Sequence, residues 1–363
     1  MANKSTLLKN ALRRKWLDFL RSHPAVAKYI EDSPSLHAGM NKLMINAAVG
    51  STMARPQAYT LWTPRPIDPA PTGRKSADPP VSYISWDGLA NRRFTGRHLP
   101  PAPESYARRL NETVPLNRVL ALYQRQDFIP ATNCSALLCF FAQWFTDSFL
   151  RKDQIDERLN TSNHEIDLCE IYGLDAATTR LLRTLEGGKL KTRCGGRFPE
   201  LLFDGHGDLK DEFKELTYMK PYLGGMSQEQ IVLGTLVEVD DDERKKRKLG
   251  LYATGLERGN STILYTAISS IFIREHNRLC HKLAEKYPNW DDDRLFETAR
   301  NINIVVGLNL TIYEYINQLS LPPVKLYLDR SFAEREHWYR ANRIAIEFNL
   351  LYRWHPSCRT CFR

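Results

Sequence analysis

The sequence predicts a mainly α-helical protein with a small β-hairpin and a proline-rich N-terminal arm. Three observations carry this prediction. From about residue 104 onward, apolar residues recur at helical spacing in six stretches, beginning with LNRVLALYQRQ and ending with AEREHWYRANRIAIEFNLLYRW. Few segments alternate with a period of two. Half of the 20 prolines fall between Pro56 and Pro103, where each removes a backbone donor and fixes φ, so this segment is extended rather than helical.

Taken in order, residues 1–54 read as amphipathic helices. Leu7, Leu8, Ala11, Leu12, Trp16, Leu17 and Leu20 fall at helical spacing, with Lys9, Arg13, Arg14 and Arg21 elsewhere. Such a face packs on its own protein or lies on an anionic bilayer, which leaves a peripheral membrane contact through residues 1–50 open. Residues 55–103 form the proline-rich arm, and residues 104–363 the main helical domain. Within that domain, Asp291 to Asp293 supply an N-cap and an acidic first turn before Leu295. The charged run from Asp240 to Lys248 lies between the strand-like segments IVLGTLVEV and KLGLYATG, which predicts a solvated hairpin there.

Composition narrows the class. With 363 residues, 42% apolar and 26% charged, the chain can bury a large core, and collagenous, disordered and disulfide-scaffold readings fail. The most apolar run, near Ser135 to Phe145, is shorter than the ~20 residues of a membrane span and contains Gln143. No apolar core follows the basic residues of MANKSTLLKNALRRKW, so a cytoplasmic or peripheral membrane location is expected. Seven cysteines, an odd number, fit a reducing compartment. The net charge is +9, yet no zinc spacing or RNA-recognition signature accompanies it, so no nucleic-acid partner is expected.

Two constellations carry chemistry. His355 ends the helical pattern RIAIEFNLLYRWHP, and Tyr352 lies three residues earlier on the same side, so both could face one buried cofactor. Either residue is otherwise an ordinary packed side chain. Gln143 and Asp147 share one face of an aromatic helix that holds Phe140, Phe141, Trp144, Phe145 and Phe149. Buried polar groups there need partners or a purpose. The plain reading is a polar stripe meeting another element; the sharper one is a pocket that handles a bound oxidant.

The segments FFAQWFTDSFL, NHEIDLCEIYG, IREHNRLCHKLAEKYPNWDDDRLFETARNI, IYEYINQLS and YRANRIAIEFNLLYRWHP, with YISWDGLANRRFTGRHLPPAP upstream, stand in an order that resembles the animal haem peroxidase superfamily, specifically its cyclooxygenase branch. The resemblance covers roughly residues 80–356. It implies a helical domain holding haem b, with His355 as the proximal iron ligand. Tyr352 resembles the tyrosine whose radical abstracts hydrogen from a polyunsaturated fatty acid before dioxygen adds. Tyr315 resembles a second tyrosine lining the substrate channel. Gln143 and its neighbour Thr146 match the distal side, and Asn349 matches an asparagine on the proximal helix. The activity implied is that of a hydroperoxide-driven peroxidase and fatty-acid dioxygenase. The alternatives are a plain peroxidase oxidising small reductants and a non-catalytic haem-binding remnant. His276, in REHNR, reads as structural.

The departures are specific. Asp147 stands where the branch has the histidine that moves the proton of a hydroperoxide, and Trp144 replaces another histidine beside it. An unperturbed carboxylate near pKa 4 is a weak base, so burial would have to raise it. Arg65 is the nearest candidate to pair a substrate carboxylate, while Pro322 stands where its partner tyrosine is expected. After Pro356 the tail SCRTCFR departs from the family's continuation, and the chain is expected to be a truncated member.

Overall fold

The computed structural model describes residues 12, 15–52, 95–96, 115–124, 135–151, 153, 159–216, 241–329, 335–336 and 344–352. The chain divides into two compact units, residues 1–56 with 306–341 and residues 57–305 with 342–363. In the first unit, residues 15–22 are helical and are followed by α1 (Pro24–Asp32) and α2 (Pro34–Thr52). Proline opens both helices, where its missing N–H has no intrahelical partner to lose. Leu20, Ala27, Ile30 and Val324 form a small apolar core. Asn41 holds the later segment in place: its Nδ2 donates to the Tyr327 carbonyl at 3.0 Å, and its Oδ1 accepts from the Tyr327 amide at 3.1 Å.

The second unit contains α3 (Leu116–Tyr123), α4 (Leu137–Asp147), α5 (Cys169–Tyr172) and α6 (Ala176–Leu182). The strands β1 (Thr192–Arg193) and β2 (Phe198–Pro199) follow, then α7 (Asp241–Lys248) and α8 (Ile263–Lys286). The boundary between units falls inside α9 (Asp292–Leu310). A π-helical stretch, Thr311–Ile316, leads to α10 (Asn317–Ser320), and α11 (Ile346–Leu351) returns to the second unit. Local capping explains several starts. Thr262 accepts from the Tyr265 amide at 3.2 Å ahead of α8, and Asp175 accepts from the Thr178 amide at 2.7 Å ahead of α6. Asp291 accepts from the Arg294 amide at 2.7 Å ahead of α9, as the acidic run predicts.

Two predicted elements are corrected. The charged run is not a hairpin: Asp241–Lys248 is helix α7. Acidic residues at its start and Lys245 to Lys248 at its end suit the helix dipole, and Glu, Lys and Arg are good helix formers. The small antiparallel hairpin lies instead at β1–β2, with Thr192 opposite Pro199 and Arg193 opposite Phe198. Its turn passes through Cys194, Gly195 and Gly196 at positive φ, and two adjacent glycines make that turn accessible. The long helix over RIAIEFNLLYRWHP is also shorter than predicted. Ala345 is extended and bridges Gly96, so helix begins only at Ile346, and Tyr352 caps its end. Among the described residues, no helix is long and apolar enough to cross a membrane.

Candidate active site

Helix α4 is fixed by its aromatic face. Trp144 is buried, stacks on Phe272 of α8 with centroids 4.7 Å apart, and donates from Nε1 to Ser269 Oγ at 3.0 Å. The tryptophan at this position is therefore a packing residue with a satisfied N–H, which seats α4 on α8. That docking carries Gln143, Thr146 and Asp147 together on one helix. Gln143 and Thr146 are half-buried, and the Thr146 hydroxyl donates to the Gln143 carbonyl at 3.0 Å. Asp147 is buried at the helix end.

Asp147 is the electrostatic centre of this region. Its Oδ1 accepts from Arg258 Nη1 at 3.3 Å, while Oδ2 is buried with no hydrogen-bond partner among the described residues. Burial pushes its pKa from 3.8 to about 6. Arg258 and Arg151 pull against that rise, Glu257 adds to it, and the Tyr265 hydroxyl lowers it. Arg151 is itself occupied, because its Nη2 donates to both carboxylate oxygens of Glu257 at 2.8 and 2.9 Å. The result is a carboxyl that exchanges a proton near neutrality, with a half-exposed guanidinium on its open side. None of Arg258, Arg151, Glu257 or Tyr265 carries a sequence signal linking it to Asp147; folding alone brings them together.

The opposing segment is held by two links. Gly96 pairs with the strand-like approach to α11, donating to the Ile344 carbonyl at 2.7 Å and accepting from the Ile346 amide at 2.9 Å. Buried His164, with φ 61°, accepts from the Ile344 amide at 3.0 Å through Nδ1. His164 thus positions α11, a role the sequence did not disclose. On α11, Asn349 is buried and Tyr352 is half-buried at the C-terminal end. An aromatic ladder joins this segment to α4. Phe145 meets Phe149 edge-on at 5.0 Å, Phe149 stacks on Phe348 at 6.5 Å, and Phe348 stacks on Tyr352 at 4.8 Å. Gln143, Thr146, Asp147, Asn349 and Tyr352 therefore belong to one unit. Tyr315 is buried in the π-helical stretch of the other unit. His355 and Arg65 lie outside the described residues.

His276 has a different character. Tyr172 accepts from Asn303 Nδ2 at 3.0 Å and lies 2.9 Å from His276 Nδ1, so its hydroxyl donates to that nitrogen. His276 Nε2 then donates to the Gly188 carbonyl at 2.9 Å. Both ring nitrogens are used and the imidazole is neutral. Burial lowers its pKa to about 4, against the Gly188 bond and with Arg183 and Arg300 adding to the drop. It braces α8 against the loop before β1.

Residues 146–322 match the animal haem peroxidase family. The chain is 31% identical to prostaglandin G/H synthase 2 of Cavia porcellus over 292 residues, covering 77% of this chain and 43% of that protein. With prostaglandin G/H synthase 1 of Mus musculus it shares 30% identity over 304 residues, covering 81% and 45%. The chain thus spans less than half the length of these relatives. Among solved structures it is similar to a fatty acid alpha-dioxygenase of Oryza sativa, with TM-score 0.43, 16% identity, and 63% and 36% coverage of this chain and that one. It is also similar to peroxidase A of Dictyostelium discoideum, with TM-score 0.39, 17% identity, and 55% and 44% coverage.

Proposed function

We propose that this chain is a haem-dependent peroxidase and fatty-acid dioxygenase of the cyclooxygenase-like branch. One observation carries the proposal: Asp147, on the helix face it shares with Gln143, is buried, raised to about pKa 6 and paired with Arg258. A carboxyl in that state suits the proton transfer that hydroperoxide cleavage requires. Buried Asp147 and half-buried Gln143, sharing one helix face, fit the distal side of a haem. His355 would hold the iron through its imidazole, and Asn349 would lie on the same side. Haem bound there would supply the oxidising equivalents for both activities.

The remaining chemistry belongs to side chains. Asp147 takes the proton from the hydroperoxide and returns it to the departing oxygen, and Gln143 and Thr146 orient the peroxide. Tyr352 gives up the hydrogen atom of its phenol, and its phenoxyl oxygen abstracts a hydrogen atom from the fatty-acid chain. Dioxygen then adds to the carbon radical. Tyr315 lines the path of the chain, and Arg65 pairs with its carboxylate. The prostaglandin G/H synthase relatives support this reading. The Asp147–Arg258 pair favours a second reading, plain peroxidase turnover of small reductants, because it serves peroxide cleavage alone. Oxygen uptake with a polyunsaturated fatty acid separates the two. Uptake lost in Tyr352→Phe supports the dioxygenase. Guaiacol oxidation without fatty-acid-dependent uptake leaves the peroxidase.

A further inference from the structure

Behind Asp147 lies a polar cluster that the proposed chemistry has not used. Glu170, on α5, is fully buried, and among the described residues no side chain partners either of its carboxylate oxygens. Tyr265, in the first turn of α8, is also fully buried; its hydroxyl favours the Asp147 carboxylate but makes no well-formed hydrogen bond among the described residues. Arg151 Nε and Nη1 are likewise buried without a hydrogen-bond partner among the described residues, and the Arg151 charge acts on Asp147, Glu170 and Tyr265. Chance burial rarely leaves so many polar atoms orphaned in one place. Donors and acceptors are moreover complementary. Arg151 and the Tyr265 hydroxyl offer hydrogens, while Asp147 Oδ2 and the Glu170 oxygens offer lone pairs.

We propose that Glu170 and Tyr265 act as positioning residues for Asp147, with Glu170 holding a proton and Tyr265 coupling the two carboxyls. This rests on the reading of Asp147 as the proton-transfer group. A proton passed from Glu170 to Asp147 would leave the charge of the cluster unchanged. The groups facing this cluster come from every element around it. Asp147 meets Arg258, Arg151, Glu257 and Tyr265. Glu170 feels the charges of Asp167, Asp147 and Arg151, and Tyr265 those of Asp147, Glu170, Cys169 and Arg151. Burial pushes the Glu170 carboxyl well above the usual range, with Asp167 and Asp147 adding to the rise and Arg151 opposing it. An unpartnered carboxylate in such a place would be far costlier than a neutral acid.

The test is an infrared pH titration of protonated-carboxyl bands in the full chain, followed with and without added hemin. Wild type is expected to show one band that disappears near pH 6 and is missing in Asp147→Asn. A second band is expected to persist above pH 7 and to be missing in Glu170→Gln. Tyr265→Phe removes a group that favours the Asp147 carboxylate, so the Asp147 midpoint should rise by about half a pH unit or more. The acid limb of peroxidase turnover should move with it. If no band above pH 7 is lost in Glu170→Gln, Glu170 holds no proton and the proposal fails. An Asp147 midpoint unmoved in Tyr265→Phe overturns the coupling, and it decides the matter even if Glu170→Gln does not fold. The infrared bands do not depend on haem. Their presence without a Soret band would overturn the proposed function instead, and a Soret band without them would overturn only this inference.

Discussion

The Arg258 guanidinium touches Asp147 Oδ1 at 3.3 Å, with Arg258 about half exposed and Asp147 buried. A mobile cation on the open side of a buried acid lowers the cost of its ionised form without locking it. Arg258→Gln should therefore raise the Asp147 midpoint above about 6, by about half a pH unit once solvent screening is allowed for. The acid limb of peroxidase turnover, recorded as rate against pH, should move by the same amount.

Asp147 also leaves a mark on stability. Its folded pKa of about 6 exceeds the unfolded value of 3.8, so the native state holds more protons between these values. Stability from this group is present at low pH and is lost as pH rises through that window. Asp147→Asn removes the penalty. Urea unfolding should show the variant gaining on wild type by up to about 3 kcal/mol between pH 4 and 7, with no gain below pH 4.

His276 acts in the opposite sense. Its folded pKa of about 4 lies below the unfolded value of 6.5, so wild type loses stability as pH falls between them. His276→Ala should cost about 3 kcal/mol at pH 7, because it empties a buried site and removes one hydrogen bond each from the Gly188 carbonyl and the Tyr172 hydroxyl. The cost should shrink towards pH 4, as read from unfolding midpoints at each pH.

Gly255 meets α5 at close quarters. Its amide donates to the Glu170 carbonyl at 2.8 Å, and a Cβ there would run into the Cys169 carbonyl and the Gly173 amide. Gly255→Ala should cost more than about 2 kcal/mol, because backbone must move on both sides. Gly250→Ala, where the nearest atom to the new methyl is the Arg247 carbonyl at 3.7 Å, should stay within about 1 kcal/mol. Thermal unfolding of the pair checks the contrast.

The helices were legible where local chemistry decides them. Asp291 stands before a periodic apolar run and caps α9, as its acidic run predicts. The charged run at α7 misled because its strand-like flanks suggested a turn, whereas its own residues favour helix. Part of the candidate site was likewise readable, since Gln143 and Asp147 are one helical turn apart. Their partners were not. Arg258 lies 111 residues from Asp147, and His164 lies 180 residues from Ile344, so no local pattern could pair them. Nor could spacing show that Trp144 packs against Ser269 and Phe272, because that depends on how α4 docks on α8.

The most direct test of the account is optical titration of the full chain with hemin, comparing wild type, His355→Ala and Asp147→Ala. Wild type should give a saturable Soret band. His355→Ala should lose it or shift it to the spectrum of unligated haem, and Asp147→Ala should keep the band while peroxide cleavage slows by about 100-fold or more. A chain that gives no Soret band, or the same band in His355→Ala as in wild type, would contradict it.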